Sequence, residues 1–233
     1  MINVGRPTFC PDRKIIAKVY DCMALDKTQN GADGETETAP GRVVSDHQLI
    51  AAAKAGDEDA FGEIIARYKN PLTNFLFRFL NDYEEAVDLA QETFVRVYFA
   101  LDRYHTKFAF STYIYRIAAN LAITELRKRK RRSILSLTGL FQSDEESDAE
   151  FQPPDTRPLP DTGVVDAERD RVIAKAIGTL PPKYRMPLIL RDVEEHSYDE
   201  VARILELGLG TTKSRISRAR GMLRERLSGY LEN

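Results

Sequence analysis

Only two cysteines occur in the 233 residues, Cys10 and Cys22, so neither a disulfide framework nor a paired-cysteine metal knuckle organises the fold. Both are expected to be reduced thiols. No apolar run approaches the ~18 to 20 residues that a membrane-spanning helix needs, and the N-terminal stretch lacks the basic start, apolar middle and small-residue cleavage site of a secretory signal. Membrane insertion is therefore not expected, and the cytoplasm is the expected compartment. The three histidines, His47, His105 and His196, stand singly, and neither a glycine-rich phosphate loop nor an HExxH pair is present. Enzymatic chemistry, a metal, a cofactor and a small-molecule substrate are accordingly not expected. No strand alternation competes with helical periodicity anywhere, so the expected class is all-α.

The formal net charge is −2, which taken alone argues against a nucleic-acid partner. The average hides a segregation. Glu125 to Arg132 (ELRKRKRR) carries six basic residues and one acid, and Thr211 to Arg226 (TTKSRISRARGMLRER) again carries six and one. Between them Ser143 to Asp161 (SDEESDAEFQPPDTRPLPD) carries seven acids and one base. Two basic helices flank an acidic connector, and that distribution decides which partners fit.

Residues 1–44 lack sustained periodicity and end in a polar, breaker-rich run, which predicts a poorly ordered extension. From Ser45, which can form a capping box with Gln48, helical spacing begins: Phe61, Ile64, Ile65 and Tyr68 mark one helix. A second is expected to open near Pro71 and to bury Leu72, Phe75, Leu76, Phe79 and Leu80. Asp82 with Glu85 caps a third, and a fourth runs from about Ser111 into the basic cluster. These make a first helical domain over residues 45–133. Four prolines in the acidic stretch, Pro153, Pro154, Pro158 and Pro160, predict a flexible linker over residues 134–164. A second helical domain, 165–233, follows. Its helices are expected up to Pro181, from Met186 to Val193, after the Ser197/Glu200 capping box, and from Thr211 onward.

The last two of these helices, with glycines between them, form a helix-turn-helix layout. Ile216, Ala219, Leu223 and Leu227 are expected inside. Thr211, Lys213, Ser214, Arg215, Arg218 and Arg220 supply groups that reach phosphates or pair with guanine edges in a major groove. In the first domain Asp88, Gln91, Glu92 and Arg96 share a polar helix face, which alone is unspecific. Phe108, Phe110, Tyr113 and Tyr115 stand beside cations, a composition that suits an unpaired DNA strand, each stacked base contributing roughly 1 to 3 kcal/mol. Phe110 and Tyr115 are expected to be core. Lys107, Ser111, Thr112 and Asn120 are candidates for polar contact with extruded bases.

In order, GDEDAFGEIIARY, DLAQETFVRVY, FSTYIYRIAANLAI and the final helix-turn-helix resemble the regions of extracytoplasmic-function (ECF) sigma factors, over about residues 45–230. The resemblance implies sigma region 2 and sigma region 4 joined by a flexible connector, and partners that include RNA polymerase core, promoter DNA and an anti-sigma factor. By the same analogy Asp88, Gln91, Glu92, Phe94 and Val95 dock on the polymerase. Lys107, Phe108, Ser111, Thr112, Tyr113, Arg116, Asn120, Arg127, Lys128 and Arg131 engage the minus-10 element, and the six residues of the last helix read the minus-35 element. Tyr113 replaces the tryptophan usual in the family, and Glu206 and Gly208 replace the usual glycine and proline of the turn. A helix-turn-helix regulator that does not act through core polymerase is the alternative; it leaves the aromatic and basic segment unexplained. A protein-binding relay or anti-sigma protein leaves both basic helices unexplained.

Overall fold

The computed structural model describes residues 44–105, 107–137 and 172–231, together with Val19. The remainder of the N-terminal extension, both cysteines and the acidic connector lie outside the described residues. All regular structure among the described residues is helical. Helix α1 is Asp46–Lys54, α2 is Glu58–Leu80, α3 is Tyr83–Phe99, and after a 3-10 turn at Leu101–Arg103 comes α4, Phe110–Leu137. The second half has α5 at 172–178, α6 at Pro182–Leu188 continuing into a π turn at Ile189–Val193, α7 at Tyr198–Ile204 and α8 at Leu209–Leu231.

Four of the helix starts are capped by a side chain. Ser45 and Gln48 form the expected reciprocal capping box, as do Ser197 and Glu200. The Asp57 side chain accepts from the backbone N–H of Asp59 and Ala60, and Asp82 accepts from that of Glu85. Three expectations are corrected. Residues 58–80 are one helix that runs through Pro71, because the stripe Phe61, Ile64, Ile65, Leu72, Phe75, Leu76, Phe79 and Leu80 stays in phase and is buried throughout. Eight buried apolar side chains at roughly 1.5 to 3 kcal/mol each outweigh the ~3 kcal/mol of an interior proline, whose ring here faces solvent. Helix α6 starts at Pro182 rather than near Met186, since proline's fixed φ suits the first turn and its missing N–H is not needed there. Helix α8 starts at Leu209, two residues before Thr211.

Helix α2 packs on α1, α3 and α4, and its phenylalanines make an aromatic centre. Phe75, Phe79, Phe94 and Phe110 are fully buried. Edge-to-face pairs join Phe75 to Tyr115 at 5.2 Å and Tyr104 to Phe110 at 5.6 Å, each such pair adding about 0.5 to 1.5 kcal/mol beyond burial. Phe110 and Tyr115 are thus core, as expected. In the second half α6 and α7 pack on α8 through Met186, Leu188, Val201, Ile204, Ile216 and Ala219. The halves also meet: α7 lies along α4, and α6 with its π turn touches α2. Buried side chains of both halves, with Val19, form one apolar cluster.

Candidate nucleic-acid and partner-binding surfaces

The loop before α4 is set from beneath. The Tyr104 hydroxyl donates to the Phe108 carbonyl at 2.8 Å, and the Tyr113 hydroxyl donates to the Ala100 carbonyl at 3.3 Å. Burial raises the pKa of both phenols, so both remain donors at neutral pH. The Phe108 ring, 42% exposed, stands outside with the Lys107 ammonium 5.7 Å from its centre. Ser111 and Tyr113 are half-buried, while Arg116, Asn120, Arg127, Lys128 and Arg131 are exposed along α4. Thr112 is corrected: its side chain is buried, with Oγ1 lacking a partner, so it faces the interior rather than a DNA strand.

The basic run of α4 is less positive than its composition suggests. Arg129 donates to Asp82 at 2.8 Å and also to Glu85, fastening α4 to the start of α3. Glu125 takes Lys128 at 3.0 Å and Arg132 at 2.5 Å, and the hydrogen bond from Lys128 holds its carboxyl below the usual range. One arginine of the run therefore serves the fold.

On α3, Asp88 is exposed and Gln91, Glu92 and Val95 are half-buried on one side. Glu92 accepts from Arg96 at 2.7 Å. Phe94 is corrected: it is fully buried and belongs to the packing beneath this face, not to the face itself.

Along α8, Thr211, Lys213, Ser214 and Arg218 are exposed, with Ile216 and Ala219 fully buried behind them. Leu223 and Leu227 are half-buried. The Arg218 guanidinium, with the Lys183 ammonium as the second cation, favours the ionised Tyr184 phenol and pulls its pKa down. Arg215 is half-buried and lines a cleft of about 280 Å³ between the halves, together with Ile123, Leu126, Arg127, Leu205 and Leu207. Arg220 is held in a forked pair by Asp192 of the π turn, Nε at 2.9 Å and Nη2 at 2.5 Å, which fixes how α8 sits on α6. The turn between α7 and α8 places Glu206 at φ 53°, the left-handed region that a glycine enters freely.

Two residues that sequence reasoning did not single out join the halves. Arg185 donates through Nη1 to the Phe79 carbonyl at 2.6 Å, and through Nε and Nη2 to the Leu180 carbonyl at 3.1 and 2.9 Å. The Glu194 carboxylate accepts from the Tyr115 hydroxyl at 2.5 Å and lies 3.8 Å from Arg78. Burial raises its pKa, with Tyr115 and Arg78 opposing.

Comparison with known proteins matches residues 64–132 to the Sigma-70 region 2 family and residues 170–223 to the Sigma-70, region 4 family. The chain is 37% identical over 178 residues to the ECF RNA polymerase sigma factor SigW of Bacillus subtilis, covering 76% of this chain and 94% of that protein. It is 32% identical over 190 residues to the RNA polymerase sigma-H factor of Pseudomonas aeruginosa, covering 80% and 95%. Two solved structures share the fold at 24% identity. The sigma factor RpoE of Bartonella quintana, in complex with the anti-sigma factor NepR, has a TM-score of 0.56 over 72% of this chain and 96% of that one. CnrH in complex with the cytosolic domain of CnrY has a TM-score of 0.57 over 80% and 99%. With both sigma regions matched in order and near-full-length relatives above 30% identity, this chain belongs to the ECF branch of the sigma-70 family.

Proposed function

We propose that this protein is an alternative sigma factor: it binds RNA polymerase core and directs the enzyme to promoters through their minus-10 and minus-35 elements. One observation carries the reading. A single chain joins a helical domain that bears an exposed ring among cations to a helix-turn-helix whose outer face is basic. A helix-turn-helix regulator working without core polymerase would have no use for the first of these. Residues 45–133 act as region 2, 134–164 as the connector and 165–233 as region 4. The two family matches, 64–132 and 170–223, fall inside the outer two spans and support that division.

Asp88, Gln91, Glu92 and Val95 form the polymerase-docking face. Lys107, Phe108, Ser111, Tyr113, Arg116, Asn120, Arg127, Lys128 and Arg131 capture the opened minus-10 strand, by stacking and by backbone contact. Thr211, Lys213, Ser214, Arg215 and Arg218 read duplex at minus-35, with Arg220 positioning their helix. The protein works by differential binding without a covalent step, in the cytoplasm, and among the described residues no helix is long and apolar enough to cross a membrane. An anti-sigma factor is a further partner, as the complex of RpoE with the anti-sigma factor NepR supports.

The test separates the two surfaces. Lys213→Ala should weaken promoter binding by the holoenzyme by about 1 to 3 kcal/mol and leave core affinity unchanged. Glu92→Ala should lower core affinity and leave duplex binding intact. Loss of core binding by both variants would refute the assignment.

A further inference from the structure

Two side chains of α1, outside the surfaces described above, meet the strand-capturing loop at its root. His47 and Lys54 are seven residues apart and so rise from one face of α1, with buried Ile50 between them. Both reach Tyr104. The Lys54 ammonium donates to the Tyr104 carbonyl at 3.1 Å. The His47 ring lies nearly parallel to that of Tyr104, with 20° between the planes, and its Nδ1 is 3.1 Å from the phenol oxygen.

Proton counting fixes the direction of that last contact. A phenol has one hydrogen to give, and Tyr104 gives it to the Phe108 carbonyl at 2.8 Å. Toward His47 the phenol oxygen can only accept, so Nδ1 carries the proton there. A relay results, from His47 through Tyr104 to Phe108, and it ends at the residue whose ring stands in solvent. Tyr104 is itself buried, with its ring 5.6 Å from that of Phe110 and 5.2 Å from that of Tyr113, so what fixes it bears on Phe108 and Tyr113 together. The far end of the relay is anchored. Asp46, beside His47, accepts from Tyr68 at 2.6 Å and from Arg67 at 3.1 Å, both on α2, and Leu49, Ile50 and Ala53 are buried. All of α1 precedes the span that matches the Sigma-70 region 2 family, residues 64–132.

We propose that His47 and Lys54 are positioning residues for strand capture: through Tyr104 they hold the backbone at Phe108 in the arrangement in which its ring and that of Tyr113 receive unpaired bases. They act through Tyr104 and not on DNA directly. A loop ordered before binding does not have to be ordered by it, so affinity for the opened strand rises without an added contact. The role rests on the sigma-factor reading above.

Holoenzyme assembled from core polymerase and the full-length protein tests this on a promoter fragment chosen by run-off transcription, with 2-aminopurine in the non-template strand at minus-10. Its fluorescence reports strand opening. His47→Ala should lower the opening equilibrium about two- to tenfold, the range for one neutral hydrogen bond, and leave core affinity and closed-duplex binding unchanged. His47→Asn places an amide N–H where Nδ1 stands and should restore opening to within about twofold of native. Lys54→Met should also lose opening. Tyr104→Phe keeps the ring and its packing but deletes the hydroxyl, so adding His47→Ala to it should cause little further loss. In the free protein, amide exchange over residues 104–110 should quicken in His47→Ala and return to the native rate in His47→Asn. A His47→Asn variant as defective as His47→Ala, additive losses in the double variant, or unchanged exchange in His47→Ala overturns the proposal. If exchange behaves as stated while native holoenzyme yields no transcript from which to choose a promoter, the relay stands and the sigma-factor reading fails instead.

Discussion

Replacing Arg185 by methionine should weaken the whole molecule, because this side chain closes carbonyls from both halves at once. Its guanidinium is largely buried and faces two backbone carbonyls rather than a carboxylate: Phe79, in the last turn of α2, and Leu180, just before α6. Burial lowers its pKa, yet an arginine remains charged at any working pH. Three charge-assisted hydrogen bonds at about 1.5 to 3 kcal/mol each give a gross 5 to 9 kcal/mol. Taking the guanidinium out of water offsets several of these, and methionine keeps the apolar stem contacts. The net loss should be about 2 to 4 kcal/mol, a fall in Tm of roughly 4 to 16 °C for a chain of this length. Urea unfolding followed by circular dichroism measures it, with Arg185→Lys expected in between because a single ammonium cannot fork to both carbonyls. A methionine variant within 0.5 kcal/mol of the native protein would refute the reasoning.

Pro71→Ala should stabilise by about 1 to 3 kcal/mol, since alanine restores the N–H that α2 lacks at a solvent-facing site; a lower Tm would show that the proline is structurally required. Ser197→Ala removes the hydroxyl half of the capping box at α7, while the backbone N–H of residue 197 still donates to Glu200, and should cost about 0.5 to 2 kcal/mol, together with weaker minus-35 binding; an unchanged melting curve counts against it. Burial depresses the pKa of His196, with Glu200 opposing, so the unfolded chain binds the proton first and stability should fall as pH drops below about 6.5. The raised pKa of Glu194 acts in the opposite direction, with gain appearing as pH falls toward the ordinary carboxylate range, so His196→Phe isolates the histidine share. That variant should flatten the slope of Tm between about pH 7.5 and 5.5, and an unaltered slope would contradict the assignment.

The helices were legible because their apolar stripes and caps are local signals. Ser45 with Gln48 and Ser197 with Glu200 cap as their spacing predicts, and Ile216 and Ala219 face inward. Pro71 misled because a single-residue breaker rule competes with a long in-phase stripe, and here burial won. The face of the site was legible in part. Composition pointed to Lys107 and Phe108 and the family resemblance to Arg116, all three exposed, whereas Phe94, given by the resemblance, and Thr112, a polar candidate, have side chains that point inward. Within the ELRKRKRR run nothing distinguishes Arg129, whose partners Asp82 and Glu85 lie more than forty residues earlier. The roles of Arg185 and Glu194 depend on contacts between the halves, and no local pattern encodes them.

Run-off transcription with purified core polymerase, with and without this protein, on a mixture of genomic promoter fragments tests the central claim most directly. New discrete transcripts that appear only when protein and core are both present, and that fall in yield with Lys213→Ala or Glu92→Ala, are the predicted result. DNA binding without core-dependent initiation would contradict it.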